Sequence, residues 1–180
     1  LSTHVDFRRA SNTPMGAGSD EELIRAFRDG DDTALGMLYD RHHAWAASVA
    51  FRFTRDRDEA LDVLQDAFTY LLRRRETLDP DKPLRALLYT ILKHRAIDRG
   101  SRKKRPVALD FNPAAPHAPA GNDISLMLKD LNEGQREVVL LRFVDALDLA
   151  SIAAALELPL GTVKSRLHGA LEILKNRMSN

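Results

Sequence analysis

Apolar residues recur along most of this 180-residue chain at spacings of three and four, and no strand-length stretch alternates apolar with polar. The pattern predicts an all-α protein. The first helix opens at Ser19 and Glu22, spaced as a capping box ahead of Leu23, Ile24 and Phe27, and Gly30 closes it. A second helix runs from Leu35, Leu38 and Tyr39 toward Trp45, Val49 and Phe53, and the polar run Thr54 to Asp58 breaks it. A third starts near Asp58 with Leu61, Leu64, Phe68, Leu71 and Leu72 as its apolar positions, and Leu84, Leu87, Leu88 and Ile91 repeat the pattern after Pro83. The second half opens near Asp123. Asn132 with Gln135 offers a cap before Val138, Val139, Leu141 and Val144, and Asp148 caps a short helix through Ile152 and Leu156. Leu158 to Thr162 interrupts, and Val163, Leu167, Leu171, Leu174 and Met178 then line one face of a last helix. Two helices joined by a short turn form a helix-turn-helix pattern.

Between these halves, residues 106–122 hold Pro106, Pro113, Pro116 and Pro119 with five alanines, and Asp110 is their only charge. That composition predicts a flexible linker between two small helical domains, 19–105 and 123–180. Residues 1–18 lack a periodic apolar face and read as a disordered tail. No apolar run of about 18 residues occurs, so membrane insertion is not expected. The absence of cysteine removes disulfides, thiolate metal sites and thiol nucleophiles, and favours a cytoplasmic chain.

The total charge of +1, from 27 basic and 26 acidic residues, gives no sign of a nucleic-acid partner. Read by segment, the charge separates. Residues 20–70 carry 12 acids and 6 bases, whereas residues 71–105 carry 12 bases and 4 acids. Near-neutrality is a cancellation that hides one strongly basic stretch. In its last part Lys93, His94, Arg95, Arg99, Arg102, Lys103, Lys104 and Arg105 are opposed only by Asp98, a density that suits a polyanion, although a solvated helix with a charged exit would also produce it. Tyr70 and Tyr89 lie nearby, as stacking platforms for unpaired bases or as core residues.

The last helix admits two readings as well. Ser165, Gly169 and His168 lie off its apolar stripe with Lys164 and Arg166 at the shoulders, which suits entry into a DNA major groove or a plain surface helix closing a bundle. Asp56, Asp58, Glu59, Asp62 and Asp66 crowd the third helix start and favour its positive end. No nucleophile, oxyanion donor or ligand spacing accompanies them, the histidines are scattered or adjacent, and P-loop, GxGxxG and GxSxG strings are missing. Neither an enzyme, a metal site nor a cofactor is expected.

The order of motifs resembles a bacterial RNA polymerase sigma factor of the extracytoplasmic-function type, which keeps only the domains called region 2 and region 4. The resemblance covers roughly residues 20–105 and 123–178. It rests on the strings Asp32 to Tyr39, Asp58 to Phe68, Leu84 to Ile91 and Ala96 to Asp98 in the first block, and Leu158 to Leu167 in the second. It implies that region 2, residues 19–105, binds core RNA polymerase, with Asp62, Gln65, Asp66 and Thr69 docking on the clamp helices of the largest subunit, while the flap is a further polymerase contact. Arg74, Arg75, Lys82, Lys93, His94, Arg95 and Arg99 would melt promoter DNA near position minus ten and hold flipped bases. Region 4, residues 123–180, would read the element near minus thirty-five as duplex through Arg142, Thr162, Lys164, Ser165, Arg166 and His168. An anti-sigma factor is a further implied partner. A sigma-like decoy that sequesters such a factor without binding DNA is the alternative function.

Several positions depart from the family pattern. Leu87 replaces a usual Trp, and His94 replaces the Asn common at the base-selecting position, which predicts an altered minus-ten preference. Glu157 stands where the helix-turn-helix often has a glycine of positive φ. Ala150-Ser151 replaces an acidic pair, and Gly169 and Leu171 replace arginines, so weak DNA binding by region 4 alone is expected.

Overall fold

Polar side chains that satisfy the free amides of a first turn decide where most of the helices begin. The computed structural model describes residues 18–102 and 128–178, and the linker 106–122, Asp123 and nearly all of the tail lie outside them. Helix α1, Asp20–Arg28, has the capping box intact: Glu22 N–H donates to Ser19 Oγ at 3.2 Å and Ser19 N–H to Glu22 Oε2 at 2.7 Å. Gly30, at φ 108°, turns the chain into α2, Asp32–Thr54, which Asp31 caps. Arg55 in the left-handed region ends α2, and Asp56 caps α3, Arg57–Arg73. A single 3-10 turn, Arg75–Thr77, leads toward α4, Leu84–Arg102.

In the second half Asn132 and Gln135 form the expected capping box at the start of α5, Glu133–Val139. This helix widens into a π-helical turn, Leu140–Val144, closed by Asp145 N–H donating to Leu140 O at 3.0 Å. Asp148 then caps α6, Leu149–Leu156, and α7, Leu160–Met178, completes the helix-turn-helix. Seven α-helices and no strand are present among the described residues, and none is long and apolar enough to cross a membrane.

Helix α2 packs against α1, α3 and α4, burying Phe27, Leu38, Val49, Val63, Leu71 and Leu88 among them. Helices α5 and α6 pack on α7 around Val138, Ile152, Val163 and Ala170. Because α4 also lies against α6, the apolar core runs continuously through both groups.

Four expected apolar positions leave that core: Tyr39, Leu61, Leu72 and Leu171 are exposed. In α3 the buried row passes through Ala60, Val63, Leu64, Ala67, Phe68 and Leu71, and in α7 through Val163 and Ala170. Alanine on the contact face lets helix backbones approach closely, so Ala60, Ala67 and Ala170 share the buried face with larger side chains.

Candidate functional site

The acidic face of α3 and the basic helix α4 are neighbours. Arg99 of α4 donates from Nη1 to Asp62 Oδ2 at 2.9 Å and from Nη2 to Asp66 Oδ2 at 2.8 Å, and the hydrogen bond it donates to Asp66 is the main influence holding this guanidinium protonated. Gln65 and Thr69 are exposed on the same helix. The four residues expected on polymerase therefore share one surface, with two of them clasped by a cation expected on DNA.

The minus-ten set divides by its partners. His94 and Arg95 project into solvent from α4. The guanidiniums of Arg74 and Arg95 lie 5.7 Å and 6.0 Å from the ring centre of half-buried Tyr70, in cation–π geometry that gathers two cations on one aromatic. Lys82 is exposed, 3.7 Å from Asp79. Arg75 is turned inward: it lies 4.5 Å over the Phe27 ring and pairs with Asp32, so packing against α1 takes the place of an open strand contact. Lys93 is engaged too, its Nζ 2.6 Å from Glu137 Oε1 of α5.

Tyr89 takes the core alternative. Its hydroxyl donates to the same Glu137 oxygen at 2.7 Å, and burial first, then the adjacent carboxylate, push the phenol well above its ordinary pKa. A second contact of the same kind lies nearby. Asp145, delivered inward by the π-helical turn, accepts from Trp45 Nε1 at 2.9 Å and from Arg52 Nη2 at 2.6 Å. Arg85 lies 5.2 Å over the Trp45 ring and donates to Asp145 O at 3.2 Å. Glu137, Asp145 and Arg52 are only 7%, 4% and 5% exposed.

Sequence reasoning missed these three. The signal was available, since Glu137 sits three and four positions before Leu140 and Leu141 and Arg52 three after Val49, each a charge on an apolar stripe. A buried charge requires a partner, and the partner lies in the other half of the chain.

On the helix-turn-helix, Lys164, Ser165 and His168 are exposed along α7, and Thr162 is half-buried in its first turn. His168 Nε2 is 3.5 Å from Glu172. Arg166 folds back over α5, where a Cβ on Gly134 would come within 2.9 Å of its Nη1. Gly169 also faces α5, with room for a Cβ only 3.2 Å from Gln135 Nε2, which gives the small residue a packing reason. Arg142 donates to Leu147 O at 2.9 Å and so braces the turn before α6. Glu157 closes α6 at φ 54°, the left-handed geometry expected there. Among the described residues no three His, Asp or Glu side chains gather as a metal cluster.

The geometry thus offers an acidic face, a basic aromatic-flanked helix and a helix-turn-helix. Family models for Sigma-70 region 2 and Sigma-70 region 4 match residues 38–106 and 122–174, in that order. ECF RNA polymerase sigma factor SigW of Bacillus subtilis is 26% identical, covering 88% of this chain and 96% of its own length. ECF RNA polymerase sigma-E factor of Escherichia coli K12 is 27% identical, covering 89% and 94%. Among solved structures, CnrH in complex with the cytosolic domain of CnrY is 25% identical with a TM-score of 0.63, covering 89% of this chain and 97% of CnrH. Sigma factor RpoE with the anti-sigma factor NepR from Bartonella quintana shares the fold at 20% identity and a TM-score of 0.53, covering 88% and 92%.

Proposed function

The chain belongs to the sigma-70 family, in its extracytoplasmic-function group, and from that premise we propose how its helices divide the work. It is an alternative sigma factor, which binds core RNA polymerase, directs it to specific promoters and initiates transcription by recognising and melting promoter DNA. The polymerase supplies the chemistry, and the chain works in the cytoplasm where polymerase and chromosome meet.

Helix α3 docks on the clamp helices of the polymerase through Asp62, Gln65, Asp66 and Thr69. Exposed Leu61 and Leu72 on the same helix suit such a contact, because an apolar side chain beside solvated acids gains most when a partner covers it. Arg95 and Arg74, gathered at Tyr70, track the separated strand, while His94 offers a ring to a flipped base. Helix α7 enters the major groove near minus thirty-five with Lys164, Ser165 and His168, and Arg166 and Arg142 chiefly hold the helix-turn-helix together.

The carrying observation is that both regional matches occur on one chain and in order. A decoy that only titrates an anti-sigma factor needs neither the exposed cations of α4 nor those of α7, so the decoy reading is not favoured. An anti-sigma factor remains a partner in this proposal. Core polymerase binding by the full chain tests the docking. The wild type co-elutes with core polymerase, and Asp62→Asn with Asp66→Asn weakens the complex about tenfold, or ~1.4 kcal/mol. Equal affinity of the variant would remove α3 from the interface.

A further inference from the structure

We propose that α1 is a brace for the loop between α3 and α4: Arg75 and Asp81, tied to α1 and to the start of α2, are positioning residues that hold Arg74 and Lys82 in place for the separated minus-ten strand. This rests on the reading of Arg74 and Lys82 as strand contacts.

Helix α1 carries none of the polymerase or DNA contacts proposed for this chain, and it lies ahead of the region 2 match at residues 38–106. Its side chains nevertheless reach the loop at two points. The Arg75 guanidinium lies 4.5 Å over the ring of fully buried Phe27 and pairs with Asp32 at the start of α2. Its Nε is buried, with no hydrogen-bond partner among the described residues. A guanidinium engaged in this way fixes the chain rather than offering its fork to a phosphate. Farther along, Arg25 Nη2 donates to Asp81 Oδ1 at 3.0 Å. Glu21, one turn earlier in α1, meets the same nitrogen at 2.6 Å and aims the guanidinium at the loop.

The loop is ordered between these ties. Thr77 N–H donates to Arg74 O at 2.9 Å, and Leu78 is buried. Asp79 then accepts from Asp81 N–H through Oδ1 at 3.1 Å and from Lys82 N–H through its carbonyl at 3.2 Å, which closes the crest, residues 79–82. Each tied residue is the sequence neighbour of an exposed cation, Arg74 before Arg75 and Lys82 after Asp81. Fixing the one restricts the reach of the other. A loop ordered before the strand arrives loses little further backbone freedom on binding. Arg25 also offsets the repulsion between Asp81 and a nearby phosphate. The side chains of Arg25 and Asp81 are 54% and 76% exposed, and such a pair adds little to stability, so altering it moves the crest and spares the fold.

The test uses the full chain bound to core polymerase and a fluorescent promoter fork whose minus-ten non-template strand is unpaired. Asp81→Arg replaces a negative charge by a positive one beside the strand, and charge alone would raise affinity. The brace predicts the reverse, about fivefold weaker binding, because Arg25 then repels the crest. Adding Arg25→Asp to that variant restores an opposite pair and is expected to recover affinity to within about twofold of wild type. Arg75→Ala is expected to weaken binding about fivefold with the salt dependence unchanged, whereas Arg74→Ala lowers the slope of log affinity against log salt by about 0.7. Core polymerase affinity and helix content stay at the wild-type level throughout. In the free full chain, the Asp81 and Lys82 amides are expected to exchange about fivefold faster in Arg25→Asp than in wild type. Equal or tighter binding by Asp81→Arg, or no recovery in the paired variant, overturns the brace, and this arm does not depend on Arg75→Ala folding. A salt slope that falls for Arg75→Ala makes Arg75 a phosphate contact and overturns its positioning role. Faster amide exchange in Arg25→Asp, while Arg74→Ala and Lys82→Ala bind the fork as wild type does, upholds the brace and overturns the strand-binding reading of the loop.

Discussion

Arg99 of α4 meets Asp66 of α3 at 2.8 Å, which spends on an intramolecular acid a cation that sequence alone would send to DNA. Arg95, one turn earlier, faces solvent beside Tyr70. Loss of Arg95 therefore weakens binding of single-stranded minus-ten DNA about tenfold, ~1.4 kcal/mol. Arg99→Ala changes it less than about twofold and, as a partly exposed pair, alters stability by no more than about 1 kcal/mol. Fluorescence anisotropy on both variants checks this, and a larger loss for Arg99→Ala would contradict it.

His94 is exposed on α4, at the position where the family resemblance implies an Asn. An imidazole and an amide present different donor and acceptor edges to a flipped base. His94→Asn is expected to redirect the preferred minus-ten base, read by permanganate footprinting over a set of promoters varied at that element. Identical melting profiles for the two proteins would rule out base selection by this residue.

Glu157 adopts φ 54° with a β-carbon, and Ala146 does the same at φ 55°. Left-handed backbone costs a non-glycine residue about 1 kcal/mol, partly offset because glycine gains freedom in the unfolded chain. Glu157→Gly should raise unfolding stability by ~0.5 kcal/mol in urea titrations. A loss would show that the Glu157 side chain contributes more than its backbone strain removes.

The buried ring of His42 lies 2.7 Å from Asp20 through Nε2, and its Nδ1 has no partner. Burial first, opposed by Asp20, keeps its pKa below the ordinary 6.5. The unfolded chain then takes up a proton before the folded one does. Stability is full above about pH 6.5 and falls as the pH drops from there through the lowered folded value, by at most about 1.4 kcal/mol per pH unit. Urea unfolding at about pH 7.5 and about pH 5.5 should show a larger acid loss for wild type than for His42→Gln. Equal losses would place the acid sensitivity elsewhere.

Much of this architecture was legible because capping and periodicity are local. Ser19 with Glu22, Asn132 with Gln135, and Asp148 each cap the helix their spacing implied, while the positive φ at Glu157 was implied only by the family resemblance. The charge partners were not legible. Whether Lys93 meets water, phosphate or Glu137 depends on two helices 44 positions apart in sequence coming together, and no local rule carries that information. The π-helical turn at Leu140–Val144 was equally silent, yet it is what turns Asp145 inward toward Arg52. The two candidate faces were visible as segment charge, while the bridge that joins them through Arg99 was visible only in three dimensions.

The most direct measurement is transcription from genomic DNA of the source organism by purified core polymerase, with and without this chain, with every transcript start mapped. The account predicts new, discrete starts that appear only with the chain and share sequence elements near minus ten and minus thirty-five. Unchanged starts, from a core polymerase that responds normally to another sigma factor, would contradict it.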